Sequence, residues 1–394
     1  MTKTFEERVA KLGFSNPKLW PGEEIEALIT VNSIEHLKDI LDFGGDKAAR
    51  EAHLKALFDG VTQRSDDESA LLHRVYQYVF GSAGLSDEDR KLIDPAFPLV
   101  VKAFAAQDKT INSQWNLGKS TSPVIVTLGT LTIEQGGFIT IENTALDFIV
   151  ENLVRNGNTG NTFGDFNILG VNGSTGRPGD QPSPPGQAQS GSGGSCPGTG
   201  GGNGWRGADG TKGGFGDKGG NGLPSLLATI RITNGVKLGP NVSQIVVMTT
   251  SGAGGAGGPG GTGARGGKGG NGGNGVTCVC SGTSGGTGGQ GGNGGPGGQG
   301  GPGGNAVDAA GNVTIWVPSQ DTTKFRPIAL DAQPGKGGAR GAGGPPGEGG
   351  GGSTGGKNCA GGGGGDVGGP GQQGELGPDG TQTGKPATII VQPI

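Results

Sequence analysis

The chain has 394 residues, of which 93 are glycine and 30% are apolar, and its net charge is −4. A near-neutral chain without clustered lysine and arginine lacks the electrostatic footprint of a nucleic-acid binder. No apolar run reaches the roughly 18 residues that a membrane-crossing helix needs, and the opening Met-Thr-Lys-Thr-Phe-Glu-Glu-Arg shows no secretory apolar core.

The composition is uneven. Residues 1–118 carry 14 Lys+Arg against 19 Asp+Glu, and the remainder carries 16 against 15. Residues 33–106 read as short amphipathic helices. Ser33 precedes one with Leu37, Ile40 and Leu41 on a face; Asp46 opens another to Phe58; Asp66 or Asp67 opens a third. Ser86-Asp87-Glu88-Asp89 has the form of a capping segment, and Pro95 and Pro98 punctuate the approach to Leu99–Ala106. From Pro123 the pattern turns to β, with 124–126, 131–133, 138–141 and 148–150 separated by Gly129, Gly136-Gly137 and Asn143.

Beyond this a long internal repeat emerges. Each unit opens on an apolar segment, runs through glycine triplets to a cysteine patch, returns through triplets and closes on a strand. The patches hold Cys196, then Cys278 and Cys280, then Cys359. Glycine falls on every third residue through Gly254, Gly257, Gly260, Gly263, Gly266, Gly269, Gly272 and Gly275. It does so again through Gly285, Gly288, Gly291, Gly294, Gly297, Gly300 and Gly303. A period of three fits neither α-helix nor β-strand but fits an extended left-handed helix. One glycine per triplet bares one side of such a helix and two bare two sides, so the Gly-Gly-X legs of the middle unit are expected inside and the others at the edges.

The expected fold class is therefore multi-domain. A small α-helical anchoring domain (1–118) is followed by a β-strand base (119–165). A glycine-rich polyglycine II helix bundle (166–394) then comprises three hairpin units of about 80 residues, at 166–233, 245–317 and 327–392. Over about 173–384 the triplets and hairpins resemble the snow-flea antifreeze proteins and the tip adhesins of certain phage long tail fibres. The adhesin resemblance implies an attachment domain at the N-terminus and distal loops that bind a host receptor. The Gly-Gly-X runs are also similar to glycine-rich repeats of mycobacterial surface proteins, without their Pro-Glu signature.

Chemistry is sparse. His36, His53 and His73 have no nucleophile or metal-ligand spacing around them. Gly351–Lys357 fits a phosphate-loop pattern, but Asn358 replaces the Ser/Thr that it requires. Asp66-Asp67-Glu68 and Asp87-Glu88-Asp89 read as helix starts. Asn172, Asn241 and Asn312 open glycosylation sequons, relevant only on a eukaryotic secretory route. The cysteines are the sharpest local signal. Units stacked in register would gather all four, as disulfides from Cys278 and Cys280 to Cys196 and Cys359, as free thiols, or as a four-thiolate site.

The expected function is a non-catalytic structural or adhesive surface protein, without cofactor or metal, at an extracellular, cell-surface or virion surface. Its rigid glycine-rich part would project the cysteine-bearing turns to a protein or glycan receptor or to neighbouring copies, as a fibre or matrix subunit or a tip adhesin. Ice binding is the alternative; it is opposed by Lys212, Asp217, Arg265, Lys268, Lys336 and Glu348 at triplet positions.

Overall fold

The computed structural model describes residues 4–14, 19, 22–41, 71, 74–75, 78–79, 84–119, 122–157, 163–279 and 281–394. The helix expected over 46–58, the acidic run 66–68, His53, His73 and Cys280 lie outside the described residues. Short helices occur at α1 (Phe5–Lys11), α2 (Ile34–Leu41) and α3 (Asp87–Ile93), and Leu71, Arg74, Val75, Tyr78 and Val79 are also helical. Their starts follow the sequence. Thr4 and Glu7 form a capping box on α1, the Ser33 hydroxyl accepts from His36 N–H, and the Ser86 hydroxyl accepts from Asp89 N–H.

Two sheets organise the chain. The larger runs β1 (Glu24–Val31), β2 (Leu99–Ile111), β4 (Val124–Ile133), β6 (Leu146–Arg155), β8 (Ala228–Leu238), β10 (Val313–Val317) and β12 (Ile389–Pro393), in that spatial order. The smaller runs β11 (Phe325–Leu330), β9 (Ile245–Thr250), β7 (Phe166–Leu169), β5 (Phe138–Glu142) and β3 (Gln114–Lys119). From β2 onward the chain alternates between the sheets, and neighbours within each sheet are parallel. It therefore winds as a two-sheeted solenoid. Lys102, Val124 and Leu146 align, so the early turns repeat every 22 residues. After β7 the coil keeps its register but its step lengthens: Leu146 aligns with Ala228, then with Val313 and Ile389. The glycine segments fill this extra length, always between a strand of the smaller sheet and the next strand of the larger.

This overturns the expected fold class. The chain is built on two mostly parallel sheets of seven and five strands with a few short helices, not on a helical domain followed by a polyglycine II bundle. The physical reason is pairing on both sides. Leu99–Ile111 joins β1 and β4, so ladder bonds override its helix-like pattern. Gly129 lies inside β4 rather than ending a strand, because a Cβ there would overlap Gln107. The expected boundary at 118 falls within β3.

Between the sheets lies the main core, centred on Phe104, Val126, Leu128, Phe148, Val150, Phe166, Ile230 and Ile315. Trp115 bridges Phe104 and Phe148 edge-on, with centroids 5.0 and 6.3 Å away. A second cluster, with Val31, Ile34, Leu41, Val101 and Ile125, covers the outer face of the larger sheet, and Phe5, Val9 and Ala105 form a third. Strand β4 is consequently buried on both faces over most of its length, as parallel strands covered on two sides are.

Buried ion pairs tie the layers together. Arg231 pairs with Asp147 and also donates to the Leu41 carbonyl at 3.1 Å, joining strand to helix. Arg155 donates to Asp165 at 2.7 Å, and the other Asp165 oxygen accepts from Val246 N–H. Removing one member of such a pair strands a buried charge. Asp147→Ala is expected to lower the unfolding free energy by about 3–5 kcal/mol, and Asp147→Leu with Arg231→Met to recover most of that loss. Denaturant titration checks both.

Candidate functional site

The glycine segments form six legs, each without helix or strand: leg 1 (172–194), leg 2 (200–222), leg 3 (252–275), leg 4 (283–305), leg 5 (332–355) and leg 6 (361–384). The odd legs run out from the smaller sheet and the even legs return to the larger. Hydrogen bonds fix two layers. Within the outgoing layer, Gly173 N–H donates to Ala253 O and Gly254 N–H to Gln333 O; within the returning layer, Gly204 donates to Thr287 O and Gly288 to Gly363 O. Between layers, Gly255 donates to Gly220 O, Gly289 to Gly270 O, Gly350 to Gly289 O and Gly365 to Gly350 O. These bonds are 2.8–2.9 Å except Gly254 at 3.0 Å.

Each position of a triplet therefore has its own task. The first residue donates to the corresponding leg of the next unit. The second donates to a leg of the other layer. The third faces solvent. A Cβ at the first glycine of an interior leg would strike a leg of the other layer, as at Gly254 against Gly304; at the second it would strike the preceding unit, as at Gly258 against Arg177. The carbonyl oxygens concerned lie closer than 3.0 Å to such a Cβ, nearer than real Cβ contacts come.

The phase of the glycines now follows. Legs 3 and 4 have neighbours on both sides; they carry glycine at almost every first and second position and are largely buried, as the Gly-Gly-X pattern predicts. Leg 2 has no preceding neighbour. Its first positions are all glycine from Gly201 to Gly222, while its second positions admit Trp205, Ala208, Thr211 and Asp217. Leg 6 has no following neighbour. Its second positions are all glycine from Gly362 to Gly380, while its first positions admit Val367, Pro370, Gln373, Leu376 and Asp379.

Several third positions dispose of their N–H groups without a backbone acceptor. Proline, which has none, stands at Pro259, Pro296, Pro302, Pro345 and Pro378. Elsewhere a side-chain amide or carboxylate bridges legs. Asp209 Oδ1 accepts from Asn293 N–H at 2.7 Å, and Asn293 Oδ1 from Gly369 N–H at 2.8 Å. Asn221, Asn305 and Thr381 form a second such rung. The Asn293 N–H, and then Arg206, hold the Asp209 carboxyl below its usual range; the Gly337 N–H, and then Lys336, do the same for Asp379.

At the distal end the three turns converge. Cys196 and Cys278 form a disulfide across 82 residues of sequence, joining the first turn to the second. Cys359 is a free thiol whose Sγ donates to the Gly282 carbonyl at 3.0 Å, so the third turn touches the second without a covalent link. Val279 between them is fully solvent-exposed, and Trp205, near this end on leg 2, is 66% exposed. No cluster able to hold a metal ion occurs among the described residues. The sequence missed the solenoid beneath the legs and the asparagine rungs. The recurrence of Asn and Pro at third positions was the signal for the rungs.

No family model matches the chain, and no curated protein matches it. Among solved structures, a nine polyproline type II helical bundle springtail antifreeze protein from Granisotoma rainieri is 24% identical. The match covers 52% of this chain and 93% of that one, at a TM-score of 0.09, which carries no argument about fold or function.

Gly295→Ala forces a Cβ into the Thr211 carbonyl, so its cost should exceed the ~1–3 kcal/mol of ordinary overpacking, since backbone cannot yield as a side chain can. Gly363→Ala, with nothing within 4 Å, should be neutral or gain up to about 1 kcal/mol. Thermal melts of the two compare them directly. Peptide mapping after alkylation without reductant should recover Cys196 linked to Cys278 and Cys359 alkylated, and Cys278→Ser should cost about 2–4 kcal/mol.

Proposed function

We propose that this chain is a non-catalytic structural and adhesive protein of a cell or virion surface. The solenoid body attaches it to a larger assembly, and the legs carry the distal turns to a protein or glycan receptor or to a neighbouring subunit. The observation that carries this reading is Val279, an apolar side chain wholly in water on a turn braced by Cys196–Cys278. An exposed apolar group on a constrained turn loses little conformational entropy on binding, which favours recognition. Legs of some 22 residues hold that turn up to about 75 Å from the strands. A disulfide is compatible with an extracellular location, and no helix among the described residues is long and apolar enough to cross a membrane.

Charged and exposed triplet positions speak against an ice-matching face. Arg265 pairs with Glu348 at 3.0 Å, and Lys336 with Asp379 at 3.0 Å; all four are solvent-exposed. Such groups are strongly hydrated and hold water in their own geometry.

The test is adhesion of the labelled full-length protein to intact cells of its source. Val279→Asp, with an unchanged melting temperature, is expected to weaken binding at least about tenfold, the loss typical of a hot-spot side chain. Equal binding by the variant would remove the turns from the interface.

A further inference from the structure

The two sheets end on four edge strands among the described residues, β1 and β12 in the larger and β3 and β11 in the smaller. Three of these edges are blunted. β3 is bulged between Asn116 and Gly118 and ends on Lys119, β11 contains Pro327, and β12 has five residues and ends on Pro393. Bulges, lysine, proline and shortness are the devices that keep a sheet edge from recruiting another strand. β1 uses none of them. Its eight residues, Glu-Ile-Glu-Ala-Leu-Ile-Thr-Val, pair with β2 without a break and include no proline, glycine or lysine. Every second residue of such a strand turns its N–H and C=O away from its one neighbour, toward the open side. Leu28 at its middle is 71% exposed.

We propose that β1 pairs with β1 of a second copy, antiparallel about a two-fold axis, so that the two larger sheets become one. The free backbone groups require an extended strand with alternating sides, and each copy carries one unguarded. The alternation restricts the register. Ile25, Ala27, Ile29 and Val31 share a face with Ala105, Ala103, Val101 and Leu99, and Glu24, Glu26, Leu28 and Thr30 share the other with Ala106, Phe104, Lys102 and Val100. Residues directly opposite share a face, so a two-fold pairing that matches faces is centred on one residue. Centred on Leu28, it sets that side chain against its own copy, Ala27 against Ile29 and Glu26 against Thr30. Centred one residue to either side, it would set Leu28 against Glu26 or Thr30. No like charges stand directly opposite in the Leu28 register. Glu24 and Glu26 also lean over β2, paired with Lys109 at 2.6 Å and Lys102 at 2.9 Å. The contacts on either side of Leu28 repeat, as an isologous interface requires.

This pairing leaves the glycine array free. The legs join β7 through β12, and β2, β4 and β6 lie between β1 and β8. The dimer is therefore independent of what the distal turns bind, and either reading can fail without the other. It also closes at two copies, because pairing occupies the one unguarded edge and β12 at the far end of the sheet is blunted.

Light scattering of the full-length protein at micromolar concentration is expected to give twice the 38.8 kDa chain mass. Leu28→Lys sets two cations against each other and should weaken dimerisation by about tenfold or more, with the far-ultraviolet circular dichroism of wild type. Leu28→Cys should cross-link two copies on oxidation, because opposite Cα atoms of an antiparallel pair lie about 4.5–5.5 Å apart, within disulfide reach. Thr30→Cys, which faces Glu26 of the other copy, should not; both variants are made with Cys280→Ser and Cys359→Ser. A wild-type monomer overturns the proposal. So does a dimer indifferent to Leu28→Lys, or one that Leu28→Cys cross-links no better than Thr30→Cys.

Discussion

The close approach of one glycine backbone to another governs this molecule. A leg has no internal hydrogen bonds, so each buried N–H must find an acceptor on a neighbouring leg. The N–H groups of Gly289 and Gly292 reach the carbonyls of Gly270 and Gly267 at 2.8 Å only because no Cβ stands between. Hydrogen bonding and steric exclusion are thus one requirement, met by glycine at defined phases of the triplet. The third position escapes it, and there the chain uses proline, asparagine and charged residues freely.

Glycine in such numbers carries a cost. Ordering each residue opposes folding by about 1–2 kcal/mol, and glycine loses more freedom than any other residue. Legs of this composition bury almost no large side chain, so the array depends on both of its ends. At the near end the parallel sheets hold successive units in register, with the core around Phe148 and Phe166 supplying the apolar burial that the legs lack. At the far end the disulfide between Cys196 and Cys278 restricts the unfolded chain across two units. The solenoid sets the position of each hairpin, and the legs copy its order outward.

Much of this was legible in residues and some was not. The triplet period, the three units and the interior place of the Gly-Gly-X legs follow from glycine spacing, because Cβ exclusion acts residue by residue. The capping segments at Ser33 and Ser86 are likewise local and were readable. The sheets were not. Leg-flanking strands such as Ala228–Leu238 and Val313–Val317 looked like closing strands of separate hairpins, whereas they align with Leu146 and complete a coil begun at Leu99. Such alignment across some 80 residues leaves no periodic mark. Leu99–Ile111 misled for a related reason: Ala103, Ala105 and Ala106 suit a helix, and only pairing with Glu24–Val31 and Val124–Ile133 makes the segment a strand. The cysteines were gathered at one end by the repeat, but which of them pair depends on the turns, where the period breaks.

The glycine phases also show why the array stops. A leg that expects a neighbour on each side must be bare on each side, and only legs 3 and 4 meet that condition over most of their length. Legs 1 and 2 close one edge with Arg177, Trp205 and Asp217; leg 6 closes the other with Val367 and Leu376. Edge protection in ordinary sheets uses charge, proline and bulges. Here it uses the return of any Cβ at all, the least change that makes backbone contact impossible. Termination is therefore written into the same triplet register as propagation, and the array can be rigid and hydrogen-bonded throughout while remaining finite.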